Sequence, residues 1–170
     1  PILRANVLQD NYASTVANGT GGGIFTGFGS DPYLINTVLR GNTSGPNGTS
    51  RGAALAIEGA AMRLAHTTFV NNIGGDGSGI YPYSGSSVVL PNTILAPHTT
   101  ARTVPSGNSA SLAGVLWYNN TTNYGGAGAV AVTATVTGDP RFAGTDYHID
   151  LGSAAIDEGT YALWGALQLA

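Results

Sequence analysis

The sequence contains no cysteine and no lysine, and few charged residues of either sign. Without cysteine, a disulfide framework and thiol chemistry are excluded. Without lysine, a P-loop is excluded, because that phosphate-binding motif requires it. Only 9% of the residues are charged, the net charge is −3, and the six arginines are scattered singly. We therefore predict no nucleic-acid partner, since such a partner needs a basic patch.

Long apolar runs are absent as well. No run approaches the roughly 18 residues of a membrane-spanning helix, so we predict no membrane span. Neither a signal peptide nor an initiating methionine precedes the first repeat described below. We expect the chain to be a processed product or part of a longer exported protein. Its 170 residues are enough for one domain with a continuous core.

Glycine is abundant, with 26 residues, and glycine and asparagine punctuate a recurring unit. The copies start at Leu3, Leu34, Leu64 and Leu90, at spacings of 31, 30 and 26 residues. An apolar residue lies five positions after each start. These apolar residues are Leu8, Leu39, Phe69 and Leu95. Repeats of this length that hold short strands are typical of a solenoid.

Short apolar runs bounded by glycine, asparagine or proline predict strands throughout the chain. Residues 51–64 are rich in alanine, but two glycines interrupt them and they overlap a repeat, so we predict strand there too. The alternation of side chains between two faces, which is typical of a strand, is clearest over residues 129–137. Val130, Val132, Ala134 and Val136 would share one face, and Ala131, Thr133, Thr135 and Thr137 the other. One strand of threonine is too little for an ice- or mineral-binding array.

These observations predict an all-β parallel β-helix, with repeats over residues 1–138 and a closing segment over residues 139–170 of the same domain. Equivalent strands of successive repeats would pair, and inward side chains would form columns. We expect two such columns. They are Leu8/Leu39/Phe69/Leu95 and Ile24/Leu55/Ile80/Val115.

An asparagine follows the first strand in three of the four copies. These residues are Asn11, Asn42 and Asn72, and His98 takes the position in the fourth copy. Asparagine tolerates left-handed backbone angles, and stacked amides can pass hydrogen bonds from one repeat to the next. Asparagine also simply favours turns. The sequence leaves an amide ladder and an ordinary turn preference both open.

Two blocks resemble a known family. Residues 21–25 (GGGIF) and 34–42 (LINTVLRGN) resemble the repeats of bacterial right-handed parallel β-helix surface proteins of the polymorphic outer-membrane-protein type. Residues 139–142 (DPRF), 146–149 (DYHI) and 152–159 (GSAAIDEG) resemble the DPxF, DYHL and GSPAIDAG blocks that close many such solenoids. The family usually continues with a DIGAYE-like stretch, and residues 160–170 depart from it.

The resemblance implies a right-handed solenoid of roughly 4–6 coils in an extracellular or cell-surface protein. The implied function is structural or adhesive rather than catalytic. Parallel β-helices also host carbohydrate-active enzymes. A polysaccharide-binding protein, a pectate-lyase-like lyase or a glycoside hydrolase is therefore the alternative.

Asp146, His148 and Asp150 are the best candidates for chemistry. If the segment were extended, the three side chains would share a face and could hold a metal ion such as calcium or act as an acid–base set. In the family they would instead tie the last turn together by hydrogen bonds. The other acids are mostly isolated. We predict no catalytic residues and no cofactor, and keep calcium as the one ion to consider.

Three further features bear on partners. Tyr81, Tyr83, Trp117 and Tyr118 could stack on sugar rings or pack inside the solenoid. Sequons for glycosylation begin at Asn18, Asn42, Asn47, Asn119 and Asn120. The apolar tail contains Leu163, Trp164, Leu167 and Leu169. This tail would either cap the last turn or dock on another molecule, and we expect end-to-end stacking with further repeats or copies.

Overall fold

The computed structural model describes residues 1–160, and this part of the chain is all-β, with fourteen strands and no helix. The strands are β1 (Ile2–Arg4), β2 (Val7–Gln9), β3 (Ile24–Thr26), β4 (Tyr33–Ile35), β5 (Val38–Arg40), β6 (Leu55–Glu58), β7 (Ala61–Ala65), β8 (Thr68–Val70), β9 (Ile80–Tyr83), β10 (Ser87–Ala96), β11 (Ser109–Trp117), β12 (Ala129–Thr137), β13 (Phe142–Ala143) and β14 (His148–Ile149). The all-β prediction is confirmed.

Most of these strands pair in parallel in a curled sheet. The larger sheet has nine strands, in the order β1-β4-β7-β10-β8-β5-β2, with β11 paired to β10 and β12 paired to β11. Each of the long strands β10, β11 and β12 spans the width that two short strands cover in the earlier repeats. A smaller sheet has the order β3-β6-β9. Among the described strands, only β13 and β14 are antiparallel.

Strand register follows the sequence repeat. Leu8 pairs with Leu39, Leu39 with Phe69, and Phe69 with Leu95, so the first predicted column is confirmed. Leu39, Phe69 and Leu95 are all fully buried. The same column continues through Trp117 to Thr137. Each fully buried side chain of this size stabilises the fold by roughly 1.5–3 kcal/mol, so the column is a major part of the core.

The second predicted column is correct for three members and wrong for the fourth. Ile24, Leu55 and Ile80 pair in the small sheet, but Ile80 then bridges to Arg102. Val115 lies in β11 of the larger sheet. The repeat shortens after β9, and the segment after β10 contributes only a bridge to the small sheet. The AGVL motif therefore belongs to the next row of the larger sheet.

A threonine follows one of the bends of the repeat, at the equivalent position in three repeats. Asn36, His66 and Asn92 have left-handed φ angles of 50°, 52° and 51°. The threonine that follows each bend points inward and is only 1% exposed. Its hydroxyl donates to the carbonyl two residues earlier. These threonines are Thr37, Thr67 and Thr93.

Two sequence predictions for individual segments have different outcomes. Residues 51–64 form strand rather than helix, as predicted, in β6 and in most of β7. Strand β12 has the predicted bounds, but the predicted division of its side chains between two faces is wrong. The inward residues of β11 on either side of its bend, Leu112 and Val115, are three positions apart. Thr135 therefore lies opposite Val115, and Thr137 lies opposite Trp117. Thr135 and Thr137 therefore continue core columns, and no face with three threonines exists on β12.

The described part of the closing segment, residues 139–160, leaves the parallel sheet and turns back across its outer face. The β13–β14 hairpin begins it, and Asp150 N donates to Arg141 O at 2.9 Å. Its far end is fixed by Asn92, whose Oδ1 accepts from Thr160 N at 2.8 Å and whose Nδ2 donates to Thr160 O at 3.1 Å. No helix in residues 1–160 is long and apolar enough to cross a bilayer.

Candidate functional site

The predicted asparagine positions form a hydrogen-bonded row. Asn42 is fully buried, and its Oδ1 accepts from Asn11 Nδ2 at 2.9 Å. Its Nδ2 donates to Asn72 Oδ1 at 2.9 Å. The amides of Asn42 and Asn72 also donate to backbone carbonyls of the preceding repeat, at 3.0 Å each. Each buried amide thus satisfies its own polar atoms while it links adjacent repeats.

The row continues through His98 to Asn120, a member that the sequence analysis missed. Asn72 Nδ2 lies 3.3 Å from His98 Nε2, and His98 Nδ1 lies 3.2 Å from Asn120 Oδ1. Because Asn72 donates, Nε2 accepts and the Nδ1 proton is donated to Asn120. Burial lowers the pKa of His98 to about 4, so the ring is neutral near pH 7. We call Asn11, Asn42, Asn72, His98 and Asn120 the amide row.

A cleft of about 470 Å³ lies between the closing segment and the larger sheet. Its floor consists of the bend residues and of the outward row Thr68, Ile94, Leu116 and Val136. Its other wall is the closing segment, through residues 147–149, 155 and 158–159. Gly114 makes this approach possible. A Cβ there would lie 2.6 Å from Asn92 Oδ1 and 3.0 Å from Thr160 N.

The cleft combines polar groups with a partly apolar floor. His66 and Asn36 contribute from the bends, and His148, Tyr147 and Glu158 from the closing segment. Imidazole, amide, phenol and carboxylate groups together offer both donors and acceptors. A recess of this size with a few polar groups over apolar surface is typical of a small-ligand site. The sequence did not predict this cleft, because the residues of its two walls are far apart along the chain.

The candidate metal or acid–base residues do not form the expected common face. Tyr147 has a φ of 60°, so the segment turns at the position where the prediction required an extended chain. Asp146 Oδ2 and His148 Nδ1 are 2.7 Å apart and largely exposed, and the hydrogen bond from His148 lowers the pKa of Asp146. Asp150 instead accepts from Leu151 N at 2.7 Å. Within residues 1–160, no three His, Cys, Asp or Glu side chains are placed to hold a metal ion.

Tyr81 and Tyr83 lie together on the outer face of the small sheet, with ring centroids 5.9 Å apart. The Arg51 guanidinium covers both rings, at 5.4 and 5.5 Å from their centroids. Partial burial and the neighbouring Glu58 raise the pKa of Tyr83. Tyr81 is only 8% exposed, so its ring is not an open platform for a sugar. Arg51 already occupies the ring face of Tyr81, and carbohydrate contact at Tyr81 and Tyr83 stays a prediction.

Trp117 and Tyr118 point in different directions. Trp117 is 6% exposed and belongs to the core, in the column of Leu95, which is the packing alternative that the sequence left open for this residue. Tyr118 is half-buried. Trp117 also lines a second pocket, of about 290 Å³, beside β12. We call it the end pocket, because β12 is the edge strand of the larger sheet.

The predicted sequons differ in access. Asn18, Asn47 and Asn119 are exposed. Asn42 is fully buried with its amide hydrogen-bonded on both sides, and Asn120 donates to Leu95 O at 2.9 Å. In the folded chain the amides of Asn42 and Asn120 both belong to the amide row, and glycosylation at the five sequons stays a prediction.

The predicted assembly or cap residues Leu163, Trp164, Leu167 and Leu169 lie outside the described residues. Comparisons with protein families, curated proteins and solved structures find no match to this chain.

Proposed function

We propose that the chain is a right-handed parallel β-helix, a solenoid of roughly 4–6 coils, that serves as a non-catalytic structural or adhesive element of a bacterial cell surface. Parallel registers that follow the repeat support the solenoid. The resemblance of the repeat and closing blocks supports its handedness and its surface location. Stiffness in such an element comes from the core columns and from the buried amide row.

The two ends of the strand stack carry the second part of the proposal, which is end-to-end association with further repeats or copies. On the larger sheet, β1 and β2 form one edge and β12 the other. Core positions at these edges are incompletely covered. Leu3, Leu8 and Ile24 are only partly buried, and Val132, in the column of the fully buried Leu112, is 55% exposed. Open strand edges beside exposed core side chains favour continued strand pairing.

Val132→Lys tests this association, because it places a charge at an open core position of β12. We expect the unmodified chain to associate as its concentration rises and Val132→Lys to remain smaller under the same conditions. Val16→Lys, at a position 86% exposed outside the strands, is the matched control and should associate normally. Sedimentation velocity and light scattering over a wide concentration range measure the difference. A chain that stays monomeric throughout would refute end-to-end stacking.

Carbohydrate binding is the second candidate, and the cleft is the observation that favours it. The site would hold a sugar against Tyr147, with His66 and Glu158 as polar contacts. His66→Asn should weaken binding without straining the bend, because Asn36 and Asn92 already occupy equivalent bends. An array of oligosaccharides measures binding. Ultraviolet absorbance, with acidic polysaccharides and with or without calcium, detects lyase product. If the array shows no binding and no lyase product forms, the structural or adhesive function is the proposal that stands.

A further inference from the structure

The end pocket lies at the unpaired edge of the larger sheet. Val130 and Val132 of β12 line one side of it, and Trp117 and Tyr124 line the rest together with Arg102. The two valines are 38% and 55% exposed, so the pocket has an apolar wall that is open to solvent. Its volume of about 290 Å³ suits a single small ring.

Arg102 is an unusual residue to find in this place. It continues the column of Ile24, Leu55 and Ile80, and it is only 3% exposed. Its Nε is closed to solvent and has no hydrogen-bond partner, whereas the two terminal nitrogens are not closed to solvent and are the groups that a ligand in the pocket would meet. Within residues 1–160, no carboxylate forms an ion pair with it and no acceptor bonds its guanidinium. A buried cation without an acceptor destabilises a fold, and an apolar residue there would continue the column of isoleucine and leucine.

Within residues 1–160, the contact that the guanidinium makes with an aromatic ring leaves its terminal N–H groups unused. Arg102 Cζ lies 5.6 Å from the centroid of the Tyr124 ring, a cation–π contact. Such a contact uses the face of the guanidinium, whereas the N–H groups lie in its plane. The terminal N–H groups of Arg102 therefore remain available to an acceptor in the pocket. A carboxylate is the group that matches this planar fork with two parallel hydrogen bonds.

We propose that the end pocket binds a small monocarboxylate carried on a ring, with the carboxylate on Arg102 and the ring between Trp117 and the β12 valines. One carboxylate balances the one cation in the pocket. The apolar wall accounts for the ring, because aromatic and aliphatic side chains pack on its faces. This ligand site is separate from the cleft and goes beyond the proposed structural function.

Two other occupants fit the pocket less well. A phosphate polymer would need several cations, and Arg102 is the one cationic residue that lines the pocket. A stacked copy would present its first repeat, whose acids are Asp10 and Asp31. Asp10 directly follows β2 and Asp31 lies two residues before β4, so both adjoin strands of the larger sheet, whereas Arg102 extends the smaller one. A copy stacked in register would not place either acid on Arg102.

Binding is measured on the full chain with D-glucuronate and benzoate as probes, and with D-glucose and benzyl alcohol as their neutral counterparts. Titration calorimetry gives affinity, and the Arg102 Nε–H resonance reports the site directly. The protein is kept dilute, so that association does not cover β12. We expect at least one acid to bind and to shift this resonance, and the neutral compounds not to bind. Binding of one acid alone would identify the kind of ring that the site prefers.

Arg102→Met is the decisive variant, because methionine fills the column under Ile80 and removes the charge, the donors and the cation–π contact with Tyr124. It should fold with equal or higher thermal stability and lose about 10- to 100-fold in affinity for the acid. Arg51→Met, at the arginine that covers Tyr81 and Tyr83, is the matched control and should bind as the unmodified chain does. The proposal is overturned if neither acid binds, if the neutral compounds bind equally well, or if Arg102→Met retains the affinity. It is also overturned if Arg102→Met changes the association between copies and leaves the binding of the acid unchanged.

Discussion

Protonation of His98 should break the amide row from within. The neutral ring accepts at Nε2 from Asn72 and donates at Nδ1 to Asn120. A second proton on Nε2 would turn the contact with Asn72 Nδ2 into two opposed donors, in a site where the histidine is 5% exposed. Acid should therefore destabilise the fold through this one residue, and His98→Asn should remove the effect by extending the row with an amide.

The size of the effect follows from the pKa of His98, which is about 4 in the folded chain and 6.5 without the fold. Below pH 6.5 the unfolded chain takes up the proton while the folded chain resists it. The free energy of unfolding is therefore highest above pH 6.5 and falls as the pH drops towards 4. Linkage gives a loss of about 2 kcal/mol between pH 7 and pH 5, and of about 3 kcal/mol below pH 4. The melting temperature should fall by about 4–8 °C between pH 7 and pH 5.

Urea unfolding at pH 7 and pH 5, followed by circular dichroism, measures this loss for the unmodified chain and for His98→Asn. The quantity of interest is the difference between the two proteins at each pH, because other titrating groups cancel in it. His66→Asn makes the same substitution at an exposed bend histidine and should leave the acid-induced loss in place. If His98→Asn loses as much stability as the unmodified chain between pH 7 and pH 5, the proposed role of His98 is incorrect.

Two further substitutions test the amide row and the core by urea unfolding. Asn72→Ala removes the four side-chain hydrogen bonds of a buried amide and should cost about 2–5 kcal/mol. Asn47→Ala, in an exposed turn, should change stability by less than about 0.5 kcal/mol, and equal effects at the two positions would contradict the row's importance. Phe69→Ala opens a cavity in the fully buried column and should cost about 3–5 kcal/mol. Val16→Ala, at a position 86% exposed, is its control, and a loss below about 1 kcal/mol for Phe69→Ala would refute the packing argument.

Local spacing in the sequence was enough to predict the repeat, the strands and the first core column. Leu8, Leu39, Phe69 and Leu95 share a phase because equivalent strands pair in parallel, so one-dimensional periodicity becomes spatial register. The same periodicity located Asn42 and Asn72 in the amide row. It could not decide between a ladder and a turn preference, because both place asparagine at the same position. The distances between the amides decided it.

Features that depend on a break in periodicity could not be predicted in this way. Strict alternation fails at the bend of the repeat, where the inward residues Leu112 and Val115 lie three positions apart rather than two. Their partners on β12 keep this spacing, so Thr135 lies inward. The shortened repeat put Arg102, and not Val115, beneath Ile80.

The sequence by itself determined the all-β class, the parallel repeat and the identity of most inward residues, because these depend on local spacing. Only the tertiary structure decided where the chain departs from its own repeat, and both candidate sites lie at such departures. The cleft exists because the closing segment returns to bends that precede it by many residues. The end pocket exists because a cation replaces an aliphatic side chain at the last position of a column. Contacts between segments far apart in the chain leave no periodic trace in the sequence.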